Sequence, residues 1–454
     1  MGTLSTSHRP RYRPPDEFQV PRYPADGATL VSLFVVLQLI IPARLVISKL
    51  PLSISPASVV ALVIGLCWLF AHFAHTLGVA KGRNPVRTML FLYFCAVLAT
   101  YGLATYGYLP TDELNHADRA LVLVLASVGM ALGVCDGVRG LDRLYLVLNT
   151  VVLMGTFVAV VGILQFLVDF DLTQYLKLPG LHYTSQEAFI TERSAMRRVG
   201  ATTGHPIEFG VVCAMLLPLA IHLAMKARAL APSLGWWLCS GLVAAGLMFS
   251  ISRSAVLGIA GAGVVLFLGW NARRRVRAAL AVLGFLALMK VLAPGLLGTF
   301  YNLFTNIGND DSIRYRTLDY ATASREIANH LWLGRGLGTW YAPKYQVFDN
   351  QYLLSLVEVG VLGLVAFIGI FLAGIYAAIR AHLISSDPVD RDLGLTLAAI
   401  LVVPLIACAT FDFASFATST ALALLTAGAA GSLLRTMTSR PAATYIASRA
   451  PDQT

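Results

Sequence analysis

Residues 144–167 read LYLVLNTVVLMGTFVAVVGILQFL and contain no charged side chain. A helix of about 20 mostly apolar residues is long enough to cross the hydrocarbon core of a bilayer. Comparable apolar segments recur along the whole chain, at residues 30–47, 58–73, 88–106, 120–135, 207–225, 234–249, 255–270, 278–292, 359–378, 393–409 and 416–434. The pattern predicts an all-α polytopic membrane protein with about 12 transmembrane helices.

The composition excludes a large soluble domain. Of the 454 residues, 57% are hydrophobic and only 13% are charged, whereas soluble domains contain about 25% charged residues. The six cysteines all fall inside the apolar segments. We therefore expect them to pack as small hydrophobic side chains, without a disulfide framework or a thiolate metal site.

The distribution of basic residues predicts the orientation in the membrane. Lys and Arg number 34 against 24 Asp and Glu, a net charge of +10, and basic residues collect on cytoplasmic connections. Basic clusters occur on alternate connections, for example at residues 9–22, 81–83, 139–143, 273–277 and 380–391. Both termini are therefore predicted to be cytoplasmic. The chain divides into a disordered cytoplasmic tail at 1–27, one transmembrane domain at 28–434 and a second cytoplasmic tail at 435–454.

Two connections on the predicted outer face are unusually long, at residues 169–204 and 293–349. The larger one lies between the ninth and tenth predicted helices. Loops longer than about 15 residues are usually functional or disordered. Both carry many apolar and aromatic residues, such as Tyr175, Trp332 and Trp340, which argues against disorder. We expect them to form a cap over an external cleft.

Arginines on the predicted outer face depart from the topology rule and need another explanation. They are Arg193, Arg197, Arg198, Arg253, Arg314, Arg316, Arg325 and Arg335. A guanidinium group keeps its charge and binds phosphate through paired hydrogen bonds. Their convergence at the outer lipid boundary favours a diphosphate site. The alternative is that they reach lipid headgroups or pair with nearby carboxylates.

Three short motifs carry further candidate residues. Residues 198–206, RVGATTGHP, lead into a predicted helix whose first turn holds proline, and His205 there is either a ligand donor or a structural histidine. Residues 334–338, GRGLG, lack the lysine and hydroxyl residue of a phosphate loop and predict a bend that positions Trp340. Residues 349–353, DNQYL, open a helix, so Asp349 is either a helix cap or a general base.

The order of these motifs resembles the O-antigen ligase and O-antigen polymerase family. The resemblance rests on Arg198 to Pro206 before a helix, Ser252-Arg253 at an outer turn, Arg314 and Arg316 before the glycines of residues 334–338, and residues 349–353 followed by Glu358-x-Gly360. It covers residues 144–371 in detail. The helix layout and the large ninth-to-tenth connection extend it to the whole chain.

The resemblance implies a GT-C-like glycosyltransferase of the bacterial inner membrane. Such an enzyme moves a glycan from a polyprenyl-diphosphate carrier to an acceptor hydroxyl on the periplasmic face, and it needs neither a metal ion nor another cofactor. The expected diphosphate-binding residues are Arg198, Arg253 and Arg316, with Arg314 as an equivalent of Arg316. The expected catalytic residues are Asp349 and Asn350, with His205 as a secondary candidate. The implied partners are membrane lipids and polysaccharide-assembly proteins such as a chain-length regulator, but no nucleic acid.

Two family activities and one other class stay open. Ligases of this family typically show His-Asn where this chain has Asp349-Asn350, so the departure favours a repeat-unit polymerase over a ligase that acts on lipid A core or another envelope acceptor. A twelve-helix transporter or flippase would share the topology. Transporters, however, place their charged sites near the bilayer midplane, whereas the charges of this chain gather at the outer boundary.

Overall fold

The computed structural model describes residues 26–48, 52–73, 82–107, 109–184, 190–193, 196–227, 229–305 and 311–439. The helices in these ranges are α1 (Gly27–Ile40), α2 (Pro56–Phe73), α3 (Pro85–Tyr106), α4 (Thr111–Gly137), α5 (Leu141–Val168), α6 (Pro206–Lys226), α7 (Leu230–Phe249), α8 (Arg253–Gly269), α9 (Ala272–Leu292), α10 (Leu296–Thr305), α11 (Asp311–Asn329), α12 (Gln351–Ile384), α13 (Pro388–Cys408) and α14 (Ala417–Ser439). The strands are β1 (Leu45–Ile47), β2 (Leu181–Tyr183), β3 (Ile190–Arg193) and β4 (Met196–Val199).

The helical membrane architecture is confirmed. Within the described part of the chain, 8 helices are long and apolar enough to cross a membrane, namely α3 to α7 and α12 to α14. Helix α9 and the start of α10 form a further pair bent by 110°. Helices α1, α2 and α8 are apolar but shorter. Every predicted apolar segment coincides with one of these helices, and the protein is a polytopic membrane protein.

Two predicted boundaries differ from the structure. Helix α1 ends at Ile40 and is followed by β1, which pairs antiparallel with β2, so the predicted first span of 30–47 is too long. Helix α14 continues to Ser439, and Arg435 within it donates to the Cys135 carbonyl at 2.6 Å. The predicted C-terminal tail therefore begins too early at 435. The rest of the two predicted tails, residues 1–25 and 440–454, lies outside the described residues.

The two long connections contain regular structure. In the first, β2 pairs with β1, and β3 pairs antiparallel with β4, with Ile190 opposite Val199. In the second, α10 and α11 occupy much of the segment that the sequence predicted as a loop. The apolar pattern of the sequence predicts neither feature. The strands are only 3 or 4 residues long, α10 has 10 residues, and α11 is largely polar.

The segment between α11 and α12 is fixed by a kink inside α12. Gly360 has φ of +64°, and a Cβ atom there would lie 2.5 Å from the Trp332 carbonyl carbon. Beyond the kink, the Val361 amide donates to the Leu331 carbonyl at 2.9 Å. Gly334, Gly336 and Gly338 all have positive φ. The GRGLG segment is therefore a bend packed against α12, as predicted, and not a phosphate loop.

The helices alternate in direction, so several chain reversals meet at one end of the bundle. This end, called the site end below, holds the start of α6, the turn between α7 and α8, the start of α12 and the connection between α13 and α14. Helices α6, α13 and α14 are the most buried spans. They form the central support on which the reversals of the site end are positioned.

Candidate functional site

The start of α6 is held by its own side chains and by α14. His205 is the N-cap, and its Nδ1 accepts a hydrogen bond from the Ile207 amide at 3.1 Å. Pro206 follows in the first turn, where the missing N–H has no cost. The Glu208 carboxylate, which is fully buried, accepts from the amides of Gly204 at 2.7 Å, Thr418 at 2.7 Å and Ser419 at 3.0 Å. This anion thus ties the loop before α6 to the first turn of α14.

His205 is neutral at physiological pH. Burial, followed by the positive charges of Arg198 and Arg44, lowers the pKa of the imidazole to about 4. Because Nδ1 accepts the capping hydrogen bond, the proton of the neutral ring lies on Nε2. The ring also lies against Phe416, with centroids 5.9 Å apart. His205 therefore caps α6 through Nδ1 and can still donate a hydrogen bond from Nε2.

The structure brings Arg198 to the turn that carries Arg253. Arg198 lies on β4, and its Nε donates to the Ser250 carbonyl at 3.4 Å. Ser252 caps α8 by accepting from the Ala255 amide at 3.4 Å, and Arg253 is the first residue of that helix. Two of the predicted diphosphate-binding arginines therefore meet at the site end, although 52 residues separate Arg198 from Ser250.

Arg44 is a third basic residue of this group, and the sequence analysis missed it. Its Nη2 donates to the Gly204 carbonyl at 2.9 Å, directly before the His205 cap. The Ala43 amide also donates to the Thr202 carbonyl at 2.9 Å. The predicted span of 30–47 placed Arg44 inside the membrane and hid it. Pro42, two residues after Ile40, was the signal in the sequence for the early end of α1.

Arg314 and Arg316 lie in α11 rather than in an irregular loop. Helix α11 packs on α12, next to the segment that holds Asp349. The side chains of Arg314 and Arg316 themselves lie outside the described part of the structure.

Asn350, and not Asp349, caps α12. The Asn350 side-chain oxygen accepts from the amides of Tyr352 at 2.9 Å and Leu353 at 3.2 Å. The capping role that the sequence left open is therefore filled, and the Asn350 side-chain nitrogen stays available as a donor. The partly exposed Asp349 carboxylate makes no hydrogen bond to any described residue. Its position is thus compatible with accepting a proton from a substrate hydroxyl.

A second carboxylate, Asp412, lies close to Asp349. Burial, with a further contribution from the negative charge of Asp349, raises the pKa of Asp412 to about 6. Asp412 belongs to the connection between α13 and α14. The signal for it in the sequence was a single acidic residue in the short stretch between two apolar segments. The site end thus holds two neighbouring carboxyl groups, and an acid with a shifted pKa is common at sites of acid–base chemistry.

The connection between α13 and α14 joins the two groups of candidate residues. The Gln351 amide, one residue after the α12 cap, donates to the Phe411 carbonyl at 3.1 Å, and the Ala414 amide donates to the Gln351 side chain at 2.7 Å. At the far end of the same connection, Phe416 contacts His205. Asp349 and Asp412 therefore lie on one side of this connection, and His205 with Arg44 and Arg198 lies on the other.

Two of the predicted outer arginines have carboxylate partners instead. Arg197 forms an ion pair with Asp169 at 2.9 Å, and Arg335 forms one with Glu113 at 2.9 Å. Arg335 also hydrogen-bonds to Tyr345. These pairs fit the structural explanation of outer arginines, and they separate Arg197 and Arg335 from the group around His205.

The comparisons with known proteins include a family match to part of the chain. Residues 238–368 match the family model described as O-antigen ligase. The matched region contains Arg253, Arg314, Arg316, Asp349 and Asn350, whereas Arg198 and His205 precede it. The curated proteins contain no match to the chain. The family match confirms the predicted resemblance over residues 238–368 of this membrane protein.

Proposed function

We propose that the protein is a membrane glycosyltransferase that moves a glycan from a polyprenyl-diphosphate carrier to a sugar hydroxyl. The observation that carries the proposal is the meeting of Arg44, Arg198 and the Arg253 turn around the neutral His205. The family match of residues 238–368 supports the same reaction class. Following the distribution of basic residues, we place this site on the outer, periplasmic face of a bacterial inner membrane.

The reaction assigns a role to each group. Asp349 takes the proton of the acceptor hydroxyl, whose oxygen then forms a bond to the anomeric carbon of the donor glycan. The bond from that carbon to the diphosphate oxygen breaks, and its electron pair leaves with the diphosphate. Arg198, Arg253 and one of Arg314 and Arg316 stabilise the added negative charge, because guanidinium groups fixed in advance need no reorganisation. The Nε2–H of His205 and the Asn350 amide supply neutral hydrogen bonds.

Repeat-unit polymerisation is the activity that fits this site best. A carboxylate at position 349 takes the place of the histidine that the related ligases typically carry. Asp349 and the nearby Asp412 form an acidic end of the site, which suits a neutral sugar hydroxyl as acceptor. Ligation to lipid A core or to another envelope acceptor is the alternative within the same reaction class.

Deleting the gene and analysing the envelope glycans tests the function directly. A polymerase predicts that single lipid-linked repeat units accumulate, whereas a ligase predicts long lipid-linked chains that are not attached to an acceptor. Unchanged glycan transfer in the deletion strain would contradict both. If the protein were a transporter, its deletion would instead leave the lipid-linked donor on the cytoplasmic side.

Reconstitution separates the transfer step from transport. The purified protein in detergent receives a polyprenyl-diphosphate oligosaccharide, and product length is measured with and without a chelator. We expect transfer in the presence of the chelator, because the arginines take the role that a divalent cation has in other phosphate-transfer sites. An Arg197→Ala variant is the matched control, since Arg197 already pairs with Asp169. Absence of transfer in the reconstituted wild type, or transfer that stops with chelator, would contradict the proposal.

A further inference from the structure

A separate cavity of about 320 Å³ lies inside the bundle. Helices α1, α2, α4, α12 and α14 enclose it, and residues 337–341 cover one end. None of Arg44, Arg198, Arg253 and His205 lines it. The volume is at the lower end of the range typical of small-molecule pockets, about 300 to 1,000 Å³. The cavity is therefore a second binding space that the diphosphate site does not use.

The cavity wall is mostly apolar but carries several polar side chains. Along α4 the lining residues recur at helical spacing from His116 to Ser127, a length of about 17 Å at 1.5 Å per residue. Gln38, Ser355 and Thr420 add further polar side chains from α1, α12 and α14. Polar side chains within membrane spans are costly and usually line a hydrated or ligand-filled space. The lining therefore suits a ligand that has both apolar faces and hydroxyl groups, such as a sugar ring.

Arg119 is the cation of this cavity. It lines the space, and its Nε atom is buried with no hydrogen-bond partner in the described structure. Among the described residues no carboxylate forms an ion pair with it, and Glu358, which also lines the cavity, instead accepts from the Trp340 amide at 3.4 Å. The adjacent Asp118 is engaged with the Tyr101 hydroxyl at 2.6 Å. The Arg119 side chain is partly buried, and an anion supplied by a ligand would stabilise its charge and give the buried Nε atom a partner.

An aromatic surface closes the outer end of the cavity. Tyr341 stacks on His116 with ring centroids 3.7 Å apart. Trp340 stacks on Tyr345 at 4.6 Å and on Phe348 at 5.1 Å, and its Nε1 donates to the Gln346 carbonyl at 2.7 Å, so its orientation is fixed. Flat aromatic rings beside polar groups suit the C–H faces of a sugar ring, because they offer an apolar face and a polar edge together.

The cavity opens toward the two carboxylates of the candidate site. Ser415 lines it and hydrogen-bonds to the Asp412 carboxylate. Gln351, another lining residue, directly follows Asn350 and is tied to the connection between α13 and α14. A sugar seated in the cavity would present a hydroxyl at this rim, next to Asp349.

We propose that the cavity holds the sugar end of the acceptor and that Arg119 selects acceptors whose sugar carries an acidic group, a carboxylate or a phosphate. The inference rests on the proposed glycan transfer, since it names the substrate class of the second reactant. Arg119 acts on acceptor specificity and not on the leaving diphosphate. Its removal should therefore change acceptor binding without changing donor binding.

Binding of two disaccharide probes to the full-length protein in detergent tests the proposal. One probe ends in glucuronic acid and the other in glucose, and the readout is the fluorescence of the protein tryptophans, which include Trp340. We expect the wild type to bind the acidic probe about tenfold more tightly or better, as one charge-assisted contact allows. Arg119→Gln should lose this preference and Arg119→Lys should keep part of it. Arg273→Gln, an exposed arginine at the opposite end of the bundle, is the matched control.

The outcomes separate this inference from the transfer reaction. Equal binding of the two probes to the wild type, or an unchanged preference in Arg119→Gln, would overturn it. Arg119-dependent binding of a short-chain phosphatidylglycerol in place of the acidic sugar would overturn it as well, since the occupant would then be a lipid. Arg253→Ala should still prefer the acidic probe. If Arg253→Ala loses glycan transfer but keeps its preference for the acidic probe, the cavity binds the acceptor independently of the diphosphate site.

Discussion

The Nε atom of Arg198 donates to the carbonyl oxygen of Ser250 at 3.4 Å. This contact joins β4 to the turn that precedes Arg253, and it places two arginines from distant parts of the chain beside one helix start. Arg44 reaches the same place through the Gly204 carbonyl. Backbone acceptors therefore fix Arg44 and Arg198 at the site end.

Replacing Arg253 by alanine should abolish glycan transfer. The expected loss is about 100-fold or more in kcat, because one donor aimed at developing charge is commonly worth that much. Arg253 is the first residue of α8, where its side chain does not form the cap, so folding and membrane insertion should be unchanged. Transfer is measured with the reconstituted enzyme, and insertion is measured by size-exclusion chromatography in detergent. Full activity in this variant would remove Arg253 from the site.

Variants of Asp349 and Asn350 should show that Asp349 acts in the chemical step and that Asn350 stabilises α12. Asp349→Asn should reduce kcat about 100-fold or more without changing the melting temperature, since Asp349 is not the cap. Asn350→Ala should lower stability by about 1 kcal/mol because the α12 cap is lost. Asn350→Asp keeps a capping oxygen but removes the amide donor, so its stability should stay near that of the wild type. A drop in stability for Asp349→Asn equal to that for Asn350→Ala would contradict the assignment.

Glu208 should behave as a positioning residue. Alanine at this site leaves three buried amides, those of Gly204, Thr418 and Ser419, without their acceptor. The expected loss of stability is about 3 kcal/mol or more. Glu208→Gln retains one side-chain oxygen and should lose less. Thermal unfolding in detergent measures both, and a variant Glu208→Ala as stable as the wild type would show that α14 does not depend on this anion.

His205 should make the protein sensitive to acid. Its pKa falls from 6.5 to about 4 in the folded protein, so the folded state binds fewer protons than the unfolded state in that interval. The contribution of neutral His205 to the free energy of unfolding is fully present above pH 6.5, and it is lost as the pH falls toward 4. His205→Asn keeps a capping side chain and cannot titrate, so its stability should change less over the same range. Melting temperatures at several pH values give the comparison.

Asp412 should have the opposite effect on how the stability of the folded protein depends on pH, which provides an internal check. Its pKa rises from 3.8 to about 6, so the folded state binds more protons than the unfolded state between these values. The contribution of Asp412 is therefore present below pH 3.8 and is lost as the pH rises through about 6. Asp412→Asn should remove this loss. Relative to the wild type, the variant should gain stability between pH 4.5 and pH 7, measured by thermal unfolding.

The local pattern of the sequence was enough to predict a polytopic helical membrane protein, but in the described part of the chain 8 helices, and not 12, are long and apolar enough to cross a membrane by themselves. Each is a run of apolar residues, and the hydrophobic cost of exposing such a run to water does not depend on its neighbours. The same holds for the N-terminal proline of α6 and for the bend at residues 334–338, because each depends on the backbone preferences of a few consecutive residues. The order of short motifs was likewise sufficient to indicate the O-antigen ligase family, which the match of residues 238–368 confirmed.

Only the tertiary structure decided which polar residues meet. Arg44 was hidden inside a predicted span, Glu208 and Asp412 carry no motif, and Arg119 shares a helix with apolar residues. Their significance arises from packing between segments far apart in the chain, where burial and the lack or presence of a counter-charge depend on the neighbours. A sequence pattern records the local preference of a residue, but the electrostatic environment that gives it chemistry is made by the fold.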